Sequence, residues 1–137
     1  MSEPDGGPRR SFIVAAIVAA GCAYFLIGFT FALPATHAKA WRLGAWLASG
    51  VVFAAHIGHE HFRWRHPARV LAWHAAAGVA VGGFLLAVAG AVHSLVTTST
   101  IGPLWLIAFV AWPAFTAIPA FVAAIAVGAL LGKLAPR

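Results

Sequence analysis

The stretch His56-Ile57-Gly58-His59-Glu60-His61-Phe62-Arg63-Trp64-Arg65-His66-Pro67-Ala68-Arg69, followed shortly by Trp73-His74, interrupts a chain that is otherwise almost continuous hydrocarbon. It holds five of the seven histidines, three of the nine Lys and Arg residues and, in Glu60, the only acid beyond Asp5. Pro67 suits the first turn of a helix, where its missing N–H costs nothing. The residues around Arg65-His66-Pro67 are too few for anything but the turn of an antiparallel helical hairpin.

Both arms of that hairpin read as membrane. The chain has 137 residues, 62% of them hydrophobic and only 9% charged, with a mean hydropathy of +0.91. A soluble domain carries about 25% charged residues. The net charge of +6 and a pI near 11.3 do not mark a nucleic-acid binder, because the basic residues sit at the ends of apolar runs rather than on one face. They read as topology signals that meet anionic lipid. The single cysteine, Cys22, excludes an internal disulfide and a CxxC metal or redox centre.

Working outward, residues 41–62 form the arm before the turn and 68–94 the arm after it. Upstream, residues 11–33 are apolar and uncharged, enough to cross about 30 Å of hydrocarbon, and Pro34 ends them. Arg9-Arg10-Ser11-Phe12-Ile13 has the look of a twin-arginine export signal and Ala19-Ala20-Gly21-Cys22 that of a lipoprotein cleavage box. A signal peptide stops being hydrophobic after cleavage, whereas Tyr24-Phe25-Leu26-Ile27 continues the run. An uncleaved first helix is therefore expected. Downstream, residues 103–131 make a fourth span that contains Pro113 and Pro119, each of which removes a helical hydrogen bond, so a kink is expected.

The expected fold is all-α: an integral membrane protein with four transmembrane helices in an up-down antiparallel bundle. It forms one domain over residues 11–132, flanked by a polar tail, 1–10, and a basic tail, 133–137. With the N-terminus cytoplasmic, Arg9, Arg10, Arg63, Arg65, Arg69, Lys133 and Arg137 lie inside and only Lys39 and Arg42 outside, which favours N-in and C-in. Trp64 and Trp73 then lie at the inner lipid interface with Arg63, Arg65 and Arg69, and Trp41 and Trp105 at the outer one. Composition rich in Ala, Val, Gly and Arg points to a bacterial inner membrane.

Small residues recur at four-residue spacing: Gly50, Ala54 and Gly58; Gly78 and Gly82; Ala124 and Gly128. Such strips let membrane helices approach closely and pack by dispersion. They carry the first functional expectation, a non-enzymatic protein acting by association. Its partners would be the lipid bilayer and other transmembrane helices, either as an accessory subunit of a respiratory or photosynthetic complex or as a homo-oligomer, with no nucleic acid.

The histidines carry the second expectation. At about 100° per residue, His56, His59, Glu60 and Arg63 share one side of their helix while His61 points away. His56 and His74 lie ten residues before and eight after His66, at similar heights in an antiparallel hairpin. Two chemistries suit them. One is bis-histidine ligation of haem b by His56 or His59 opposite His74; the other is a divalent metal held by His56, His59 and His74 with Glu60. Proton handling by Glu60 with a histidine is a third. Against all three stands a structural reading: His, Arg and Trp are ordinary at a lipid interface, and Glu60 can pair with Arg63 one turn on. A zincin is excluded, since Arg63 stands where the second histidine belongs. A small transporter using Pro113, Thr116 and Pro119 is the remaining alternative.

Overall fold

The computed structural model describes residues 7–32 and 36–134, so residues 33–35 and both extreme tails lie outside the described residues. Four helices account for nearly all of it: α1 (Gly7–Ala32), α2 (Ala38–His59), α3 (Ala68–Thr98) and α4 (Pro103–Leu134), with a π-helical turn, Glu60–Trp64, continuing α2. No strand occurs among the described residues.

Three helices are long and apolar enough to cross a membrane: residues Arg10–Ala32, Ala68–Thr98 and Pro103–Leu134. The second expected span, 41–62, is not among them. Lys39 and Arg42 at its start and His56 and His59 at its end leave only residues 43–55 free of charge and imidazole, about 20 Å of helix against about 30 Å of hydrocarbon. The α-helix also starts three residues earlier than expected and gives way to the π-turn at Glu60.

Helix α3 is the centre of the structure. Of its most apolar window 39% is buried, against 11% for α1 and for α4, because α1 and α4 both lie along it. The contacts give the direction of each pair. Going along α1, Ala20, Tyr24 and Gly28 meet Gly78, Gly82 and Leu86 in turn, so α1 and α3 run parallel. Going along α3, Ala68, Gly83 and Gly90 meet Gly128, Pro113 and Trp105, so α4 runs antiparallel. Glycine is what permits the first pair. A Cβ on Gly82 would stand 2.6 Å from Tyr24 Cβ, and one on Gly78 would stand 3.3 Å from Ala20 Cβ. Helix α2 returns beside α1, where Phe31 meets Trp41 edge to face at 5.5 Å.

The strips of small residues divide between these roles. Gly78 and Gly82 face α1, while Ala124 is fully buried and Gly128 packs against Ala68. On α2, a Cβ at Gly50 or Gly58 would meet nothing within 4 Å, and Ala54 is exposed. Helix α4 remains helical through Pro113 and Pro119. Thr116 turns its hydroxyl back to donate to the Trp112 and Pro113 carbonyls, both at 3.0 Å, so it does not offer that donor to a passing ion.

The tightest packing is at one end. Ile57, Leu71, Ala72, Ala75 and Ala124 form the core cluster, supported by Phe53, Phe121, Ile125 and Leu131. It joins α2, α3 and α4 beside the hinge.

Candidate functional site

The hinge is built by three consecutive backbone choices. The last turn of α2 widens into the π-turn, a device frequent at functional sites. Arg65 then adopts the left-handed conformation at φ 50°, a sparsely populated state for a residue with a Cβ. Pro67 is extended at ψ 150°, and its carbonyl accepts the first α3 hydrogen bond, from Leu71 N–H at 3.1 Å. His66, held between the reversal and the proline, is thereby folded back over the end of α2.

What it folds back onto is Glu60. This carboxylate is only 1% exposed. Nδ1 of His66 lies 2.6 Å from Oε2, and Nδ1 of His74 lies 2.8 Å from Oε2 and 3.0 Å from Oε1. An ionised carboxylate only accepts, so both rings donate from Nδ1–H. The two rings meet edge to face, with centroids 5.3 Å apart. Ile57, Leu71 and Ala75, from the elements on either side, are buried in the adjoining core, which is why the acid sees almost no water.

His56 completes the group. Its side chain is 7% exposed and its Nε2 is 4.0 Å from Glu60 Oε1, too far for a hydrogen bond, and that nitrogen has no hydrogen-bond partner. A buried polar atom left so costs about 1–3 kcal/mol. Electrostatics hold the centre together. Burial pushes the Glu60 carboxyl up, but the hydrogen bonds and charges of His66 and His74 outweigh it and leave the acid below its ordinary value.

The expected site residues thus separate. Glu60, His74 and His56 come together; His59 does not. It is exposed and accepts the Trp64 indole N–H at 3.3 Å, while Trp64 stacks on His66 with centroids 6.3 Å apart. Every ion-pair partner of Glu60 among the described residues is an imidazole, and Arg63 is exposed, so the expected Glu60–Arg63 pairing is replaced. His66, read from sequence only as part of the turn, is the member that helical spacing missed. Its one signal was position, immediately before the proline that closes the hairpin.

In chemical terms, Glu60, His66 and His74 each bring one ligand atom to within 4.8 Å of the others. Two imidazole nitrogens and a carboxylate oxygen form a donor set for first-row divalent metals. Searches of the chain against family models, curated proteins and solved structures returned no match.

Proposed function

We propose that this chain is a four-span membrane protein, with both termini cytoplasmic, that binds a divalent transition-metal ion at the inner end of its bundle through Glu60, His66 and His74. The observation that carries the reading is a buried acid with two imidazole nitrogens on its oxygens. Interface histidines with no role beyond meeting headgroups would point outward, as His59 does. The convergence of His56 and His74 on one carboxylate also suits a bare ion better than haem, whose plane would have to stand between the two rings.

The fourth span has its own support. Because α1 and α3 are apolar and run parallel, the chain between them must return to the side from which it started. Helix α2 has 22 residues, about 33 Å, enough for that crossing. Its cationic start and histidine end would snorkel to the two interfaces. The charge count favours a hinge on the inner side, facing a bacterial cytoplasm.

Elemental analysis of protein purified in mild detergent, dialysed with and without added zinc, tests the function. The expected result is one ion per chain, abolished by Glu60→Gln. Wild-type protein that retains none would end the reading.

A second reading, association with other helices as a homo-oligomer or as an accessory subunit, is favoured by the open strip of Gly50, Ala54 and Gly58 on α2. Native mass spectrometry in several mild detergents decides it; a lone monomer in each would count against it.

A further inference from the structure

The three residues of the proposed metal centre leave one neighbour unexplained. The His56 side chain is 7% exposed, its Nε2 has no hydrogen-bond partner, and the polar atom that nitrogen approaches is Glu60 Oε1, the oxygen to which His66 is not bonded. Burial without a partner is an unfavourable arrangement in the metal-free protein, and it acquires a reason when an ion stands between the two groups.

We infer that His56 is a fourth protein ligand, through Nε2, and that the centre is a closed N3O site of the kind that suits tetrahedral Zn2+ rather than a three-ligand site with an open position. The inference rests on the metal reading proposed above. Zn–N and Zn–O bonds of about 2.0–2.2 Å put adjacent donors of a tetrahedron about 3.3 Å apart. The distances from Glu60 to the imidazole nitrogens, 2.6 Å, 2.8 Å and 4.0 Å, lie on both sides of that value. On binding, the two close rings withdraw slightly as the ion replaces their hydrogen bonds, and His56, which stands outside the set of ligand atoms lying within 4.8 Å of one another, moves in toward the ion. For the neutral rings the proton passes from Nδ1 to Nε2 in His66 and His74, and stays on Nδ1 in His56, so each presents a lone pair to the metal.

The geometry gives a closed site a structural consequence. The four ligands come from α2, the π-turn, the linker and α3. Along its length α2 lies against α1 and touches α3 little, so an ion held by His56 and His74 ties the inner end of α2 directly to the central helix. A four-ligand ion with no vacant position would act as a clamp on the hinge rather than activating a substrate.

Cobalt(II) is the probe, used with full-length protein in detergent and compared between wild type, His56→Ala and His56→Gln. Wild type is expected to give the intense visible absorption of tetrahedral Co2+. Each His56 variant is expected to bind at least about tenfold more weakly, with the pale spectrum of a five- or six-coordinate ion as water enters. Unchanged affinity and spectrum in the variants would remove His56 from the centre while leaving the three-residue site intact. A wild-type spectrum of six-coordinate Co2+ would overturn the closed site without any variant, so a variant that fails to fold does not stall the test. Wild type that binds no cobalt would instead overturn the metal reading beneath it.

Discussion

Glu60→Gln is the sharpest perturbation, because it changes one atom and keeps the shape. In the metal-free protein the carboxylate accepts from two Nδ1–H groups at 2.6 Å and 2.8 Å while 1% exposed. Hydrogen bonds to a charged group contribute about 1.5–3 kcal/mol each. Glutamine keeps one neutral acceptor and turns an NH2 donor toward a ring that is also donating, unless that ring changes tautomer. The expected loss is therefore about 2–4 kcal/mol, which overlaps the range for breaking a buried ion pair. The assay is unfolding of metal-free protein in mixed micelles, followed by tryptophan emission, to which Trp64 contributes from its place stacked on His66. A cycle with His66→Ala separates the pair from general damage: the double variant should be less destabilised than the sum of the singles by about 0.5–3 kcal/mol. A variant within about 0.5 kcal/mol of wild type, or strict additivity in the cycle, would refute the idea that the acid is held by its imidazoles.

Three further outcomes are expected. Gly82→Ala should cost about 1–3 kcal/mol by overpacking, since its Cβ would stand 2.6 Å from Tyr24 Cβ and 3.0 Å from the Gly21 carbonyl; Gly50→Ala, with nothing within 4 Å, should stay within about 0.5 kcal/mol in the monomer, both read by the same unfolding assay. Metal affinity should fall as the pH drops, because protons compete with the ion for its ligands. In metal-free protein the Glu60 carboxyl lies below its ordinary value of 4.5, so its contribution is complete above that pH and is lost only as the pH falls through the lower folded value; titrations of metal binding and of stability check the two windows separately. For topology, single cysteines at Arg65 and Lys39 in a Cys22→Ser background should react with an impermeant thiol reagent from opposite sides of the membrane, Arg65→Cys from the cytoplasmic side; labelling of both from one side would remove the α2 crossing.

How far the residues announced this structure depends on the range of the interaction. The all-helical character and the three helices long and apolar enough to cross a membrane follow from long apolar runs, whose backbone has few alternatives to helix in lipid. The hairpin turn followed from Pro67 and its charged neighbours. The second span is the one that length and apolarity do not establish, because Lys39, Arg42, His56 and His59 shorten its apolar interior. At the site, helical spacing brought His56 and Glu60 to one side and hairpin register brought His74 to their height. The same spacing put His59 with them, whereas the π-turn, which a regular helix does not foresee, brings Trp64 back to that ring instead. It could not foresee His66, whose return to Glu60 depends on the left-handed Arg65. That conformation is set by how the whole hinge packs and not by the identity of the residue.

The central claim is that Glu60, His66 and His74 hold a metal, and zinc-edge X-ray absorption of the full-length, zinc-loaded protein in detergent tests it most directly. The expected spectrum is a first shell of nitrogen and oxygen at about 2.0–2.1 Å with the outer-shell scattering of imidazole, lost in Glu60→Gln. A wild-type protein that retains no zinc, or zinc surrounded by oxygen without imidazole scattering, would contradict it.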